Sequence, residues 1–112
     1  MRRRLYFIMP DLASARKMMD DLLLARIEER HIHFLARRGT PMDGLHEANH
    51  LQKSDLVHGV QVGLALGAIE EGKLLLMADV PQHRVAEVRE LLNAQHPEAE
   101  DRGIDPHIPV FP

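Results

Sequence analysis

KLLLMADVPQHRVAEVRELLNAQHPEAEDRG, residues 73–103, repeats in outline what RLYFIMPDLASARKMMDDLLLARIEERHIHFL, residues 4–35, does earlier in the chain. Each begins with a short apolar run that a proline stops. An amphipathic segment follows, then a histidine, then a second short segment. In the later copy, GKLLLMADV (72–80) is almost continuously apolar between Gly72 and Pro81, the mark of a central strand covered on both faces. The segment PQHRVAEVRELLNAQH places Pro81 near the start of a helix and turns Val85, Val88, Leu91 and Leu92 inward. Pro97 ends that helix, and residues 99–104 read as a polar edge strand.

The earlier copy follows the same logic. Residues 4–9 are rich in strand-forming types, and Pro10–Asp11 interrupts them. Asp11 is placed to cap a helix by accepting from the orphan amides of its first turn. Leu12, Ala15, Met19, Leu22 and Leu23 recur at helical spacing, which predicts a helix over about 11–29. Residues 31–37 alternate, with Ile32, Phe34 and Ala36 on one side and His33 and Leu35 on the other, as a strand requires. Met9, Met18, Met19 and Met77 fall in these segments and read as core.

Two βαβ-like halves predict an α+β fold, a ferredoxin-like βαββαβ antiparallel sheet with both helices on one face. Between strands two and three, residues 45–68 read as one added helix, with Leu45, Ala48, Leu51, Leu56, Val60 and Leu64 supplying an apolar stripe. The expected organisation is a single domain over 1–112, with an irregular, proline-punctuated tail from 105 to 112.

Composition narrows the function classes. The chain of 112 residues has no cysteine, which rules out disulfides, thiolate catalysis and thiolate metal sites. A net charge of -3 and a pI near 6.2 argue against a nucleic-acid surface. MRRR followed by LYFIM is too short an apolar run for a signal peptide. The longest uncharged run, Leu56–Ile69, is 14 residues and falls short of the roughly 20 that cross a bilayer. The expectation is therefore a soluble, cytoplasmic chain.

Gly59, Gly63 and Gly67 repeat every four residues and clear one helix face for close packing, a device common in lipid. In water each costs about 1 kcal/mol relative to alanine within a helix. Either the segment unwinds after Gly59 or close packing offsets the cost.

The blocks LLLARIEERHIHFLAR, LQKSDLVHGVQVGLALG and EEGKLLLMADVPQHRVAEVRELL with HPEAE resemble those of an uncharacterised bacterial family. Its members are general-stress-protein-like α/β domains, interrupted by a Gly/Ala-rich hydrophobic hairpin in the inner membrane. The resemblance covers almost the whole chain. It implies inner-membrane association at the cytoplasmic face and a glycine repeat that is the remnant of a membrane helix. Here GLALGA joins IEEGKLLL directly, without the hairpin. Two histories fit that junction: a natural member without a hairpin, or excision of the membrane part. The resemblance supplies no activity and no site.

The eight histidines supply the remaining candidates. His46, Glu47 and His50 spell H-E-x-x-H, the pattern in which two histidines hold zinc and the glutamate is general base. His31 and His33 share a strand face. Asp20–Asp21 and Glu28–Glu29 point about 100° apart on a helix, so they do not converge and read as a solvated face. Ser14 and Ser54 lack the glycine-flanked turn of a nucleophile elbow. The expected function is a non-catalytic regulatory or protein-interaction module that forms a homodimer, the polar edge strand and the added helix offering surfaces to pair. The alternatives are a zinc-binding protein or zinc hydrolase on His46 and His50, and a small-molecule sensor on the sheet face.

Overall fold

The computed structural model describes residues 1–42, 44–45 and 67–104. Strand β1 is Arg2–Met9, helix α1 is Leu12–Leu24, and a 3-10 turn at Glu29–His31 leads into β2, Ile32–Leu35. Strand β3 is Leu74–Pro81, a second 3-10 turn at Gln82–Arg84 opens helix α2, Val85–Gln95, and β4 is Glu100–Ile104. The four strands form one sheet in the order β2-β3-β1-β4, every neighbouring pair antiparallel. Thus β1 and β2 run the same way with β3 between them, and β3 and β4 run the same way with β1 between them. The fold is α+β with a four-stranded antiparallel sheet.

Alternation along the strands sorts the core into two layers. Leu5, Phe7, Met9, Ile32, Phe34, Leu74, Leu76, Ala78 and Val80 face one way. They pack with Ala15, Met18, Met19 and Leu22 of α1 and Val85, Val88 and Leu92 of α2, so both helices lie on this face. On the other face Tyr6, Ile8, Leu75 and Met77 form a second apolar cluster with Ile69. The expectation that the 72–80 run is a central strand buried on both faces holds: Leu74 to Val80 are all buried. Leu91, expected inward, is only half-buried, and Leu23, counted with the apolar stripe of α1, is 41% exposed because it lies off the face that meets the sheet.

Helix α1 begins as predicted, with the Asp11 carboxylate accepting from the Ser14 amide at 2.8 Å. It stops five residues before the predicted end, and the stop is a C-terminal cap without glycine. The Ile27 amide donates to the Leu22 carbonyl and the Arg26 amide to that of Leu23, both at 3.0 Å. This is the Schellman arrangement, which places Arg26 in the left-handed region at φ 70°. Ile27, 1% exposed, is drawn into the core; burying it outweighs the backbone cost at Arg26. Arg26→Gly is therefore expected to raise the unfolding free energy by about 1 kcal/mol, read as a higher urea midpoint at unchanged slope.

The predicted strand 31–37 contracts to Ile32–Leu35, because His31 belongs to the 3-10 turn. Its alternation is as expected: Ile32 and Phe34 enter the helix-side core, and Leu35 packs on the other face. Between Tyr6 and Phe7 the pairing with β4 shifts register, and Gly103 at φ 88° takes the positive dihedral that the irregularity needs.

Most of the predicted added helix lies outside the described residues. Leu45 sits in a turn, its amide donating to the Met42 carbonyl at 3.0 Å. Residues 67–70 are helical. Their end is capped by Gly72 at φ 92°, where the Lys73 amide reaches back to the Ala68 carbonyl at 3.1 Å. Ile69 from this turn packs on the sheet face opposite α1 and α2. The tail 105–112 lies outside the described residues.

Candidate functional site

His46, Glu47, His50, Gly59 and Gly63 lie outside the described residues. Gly67 is the first described residue of the helical stretch 67–70, and a Cβ placed there would meet no atom within 4 Å. Among the described residues no group of three His, Asp or Glu side chains is placed to hold a metal ion. The polar groups that come together include three clusters.

The first lies on the sheet face opposite the helices and is centred on Asp79, which is 3% exposed. Antiparallel register places Arg4 of β1 directly across from Asp79 of β3. The Arg4 guanidinium donates two hydrogen bonds to the carboxylate, Nε to Oδ1 at 2.8 Å and Nη2 to Oδ2 at 3.2 Å. Arg2, two residues earlier and hence on the same face, donates to the Asp79 carbonyl at 3.0 Å. From the other side, His33 of β2 places Nε2 3.9 Å from Asp79 Oδ2. His31 sits beside this group. Burial first, then the Arg2 and Arg30 charges, hold its imidazole below the usual histidine range, against smaller opposing effects of Asp79 and Glu28. The face thus joins a charged end, Arg2, Arg4, His33 and Asp79, to an apolar one, Tyr6, Ile8, Leu75 and Met77.

The second cluster ties α1 to the loop after α2. His96, 4% exposed, approaches Asp21 of α1 with Nε2 2.6 Å from Oδ2. Its Nδ1 is 3.5 Å from Glu98 Oε1, and the Ser14 hydroxyl donates to that same oxygen at 2.7 Å. The Ser14 bond, with a backbone hydrogen bond and His96, holds the Glu98 carboxyl below the usual carboxylate range. Ser14 is itself buried and its hydroxyl donates to a carboxylate, so the chain Ser14–Glu98–His96–Asp21 is a clasp in which Glu98 stands between the serine and the imidazole. Lys17, Asp20 and Gln95 line an open hollow of about 290 Å³ beside it. The expectation that Asp20–Asp21 is merely solvated fails at Asp21, whose partner is 75 residues away. No local pattern marks this clasp: spacing gives HPEAE, residues 96–100, no role.

A third brace joins α2 to β4. Arg89 and Asn93 both donate to Asp101 Oδ2, at 3.0 and 2.9 Å. Burial pushes the Asp101 carboxyl up, but these bonds and one from the Gly103 amide outweigh it and hold the group low.

Comparison of the chain with protein-family models, with curated proteins and with solved structures returned no match.

Proposed function

We propose that the protein is a non-catalytic regulatory or protein-interaction module, built of two βαβ halves in the ferredoxin-like manner and working as a homodimer. The ferredoxin-like reading is supported by the sheet order, with β1 and β3 central and each followed by a helix on the same face. The observation that carries the functional reading is how the described polar side chains are used. Arg4–Asp79 joins β1 to β3, His96–Asp21 joins the end of α2 to α1, and Arg89–Asp101 joins α2 to β4. Arg84 adds a bond to the Ala25 carbonyl at 2.6 Å, fixing the start of α2 to the end of α1. These groups brace a rigid surface; they do not converge on a reacting centre.

Pairing is supported by two features. In the described sheet, β2 and β4 each have one unpaired edge. Leu23 and Leu24, 41% and 79% exposed, leave an apolar patch at the end of α1. Light scattering after size exclusion is expected to give twice the 12.8 kDa chain mass. A mass of one chain at every concentration up to about 0.1 mM, where a dimer of modest affinity is populated, overturns the homodimer.

For the setting we propose the cytoplasm for the chain as it stands, with association at the cytoplasmic face of the inner membrane belonging to the bacterial family that its sequence blocks resemble. Among the described residues no helix is long and apolar enough to cross a membrane. The alternative, a metal-dependent protein or zinc hydrolase built on His46, Glu47 and His50, predicts stoichiometric zinc by elemental analysis, lost in His46→Ala or His50→Ala. Substoichiometric metal in the purified protein eliminates it.

A further inference from the structure

Two buried side-chain nitrogens among the described residues have no hydrogen-bond partner, His31 Nε2 and Arg102 Nε. Arg102 bonds elsewhere through its guanidinium, Nη2 lying 3.1 Å from Glu100 Oε1. His31 is different. It is 7% exposed, and the turn that holds it leads directly into β2.

The charged groups around His31 are already engaged. From β1, Arg2 faces it while donating to the Asp79 carbonyl. From β3, the Asp79 carboxylate is occupied by the two hydrogen bonds of Arg4. In its own turn, Arg30 is paired with Glu28 at 2.6 Å. On β2, His33 shares the approach to Asp79 at 3.9 Å. A proton on His31 would place a further cation beside Arg2 and Arg30, in a buried position where the nearby carboxylates are already matched.

The strand that depends on this turn is the weaker part of the sheet. Pairing of β2 with β3 spans four residues, Ile32 to Leu35, and lies at an edge of the described sheet; pairing of β1 with β3 spans Arg2 to Met9 at its centre. We propose that His31 is an acid-sensitive catch on β2, whose protonation releases this edge strand from β3 while the β1–β3 pair stays formed.

The sign follows from linkage. In the closed form the neutral imidazole is favoured, and in the released form it titrates as an ordinary histidine. The catch is therefore fully closed above the ordinary histidine range. It weakens as pH falls through that range toward the lower closed-form value, below which both forms are protonated and the loss levels off.

The test is native-state amide exchange by NMR at about pH 7.5 and about pH 5.5, corrected for intrinsic rates, with β1 and β3 amides as the internal reference. One proton linked to one opening limits the effect to about tenfold per pH unit. The protection of β2 is expected to fall relative to β1 and β3 at the lower pH. His31→Phe, which fills the space and cannot titrate, is expected to abolish the loss; His31→Gln serves the same purpose where the phenylalanine variant does not fold. His33→Asn is expected to keep it. A constant β2-to-β3 protection ratio in the unmodified protein overturns the proposal. So does a loss that survives in the His31 variant or that disappears in His33→Asn.

Discussion

Asp79→Ala is expected to lower the unfolding free energy by about 3 kcal/mol, near the lower end of the range for breaking a buried ion pair. The reason is the charge left behind. Arg4, with only 17% of its side chain exposed, loses both hydrogen bonds to the carboxylate and its charge partner on β3, with the Arg2 cation close by. The lower end of the range applies because Arg4 retains some contact with water. Urea unfolding followed by far-UV circular dichroism measures the loss directly. Asp79→Asn is expected to lose a similar amount, since the acceptor stays but the charge goes. The double variant Arg4→Met with Asp79→Leu is expected to recover most of the stability, because two well-packed apolar side chains can replace a buried pair. An Asp79→Ala midpoint equal to that of the unmodified protein would mean that the pair carries no net stability.

Phe34→Ala is expected to cost about 4 kcal/mol, a large share of the 5–15 kcal/mol that holds a typical domain together. Phe34 is 0% exposed, pairs across to Leu76, and with Ile32 supplies the two core-facing side chains of β2. Among the described residues this four-residue edge strand has little else to hold it to the sheet, so the ring's loss leaves a cavity and weakens the pairing together. Thermal and urea unfolding give the magnitude. A loss under about 1 kcal/mol would show that the core closes over the gap at little cost, contrary to dense packing.

Much of the architecture was legible in the residues. The runs 4–9 and 73–80 announced strands through composition, and the alternation at Ile32, His33, Phe34 and Leu35 assigned each side chain its face correctly. Asp11 announced its helix, and Gly72 stands where a cap needs a positive φ. What periodicity did not show was where α1 ends. The apolar spacing runs on past Leu24, and the cap uses Arg26, a residue type that gives no warning of the left-handed region. The polar clusters were less legible still. Asp21 looked like one half of a solvated carboxylate pair, and HPEAE gave no hint that His96 would lie between two carboxylates. Of the metal candidates, His46 and His50 fall outside the described residues.

The division has a physical basis. Strand alternation, helical period, proline breaks and capping side chains act over a few residues, so the order of letters alone marked the four described strands, the helices that follow β1 and β3, most of their inward faces and the α+β class. Arg4 and Asp79 are 75 residues apart, Ser14 and Glu98 84 apart. Only the paired sheet and the packed helices bring such groups within bonding distance. The same packing withdraws His31 from water and leaves its Nε2 without a partner, a property of the assembled surroundings that no local pattern in the chain encodes.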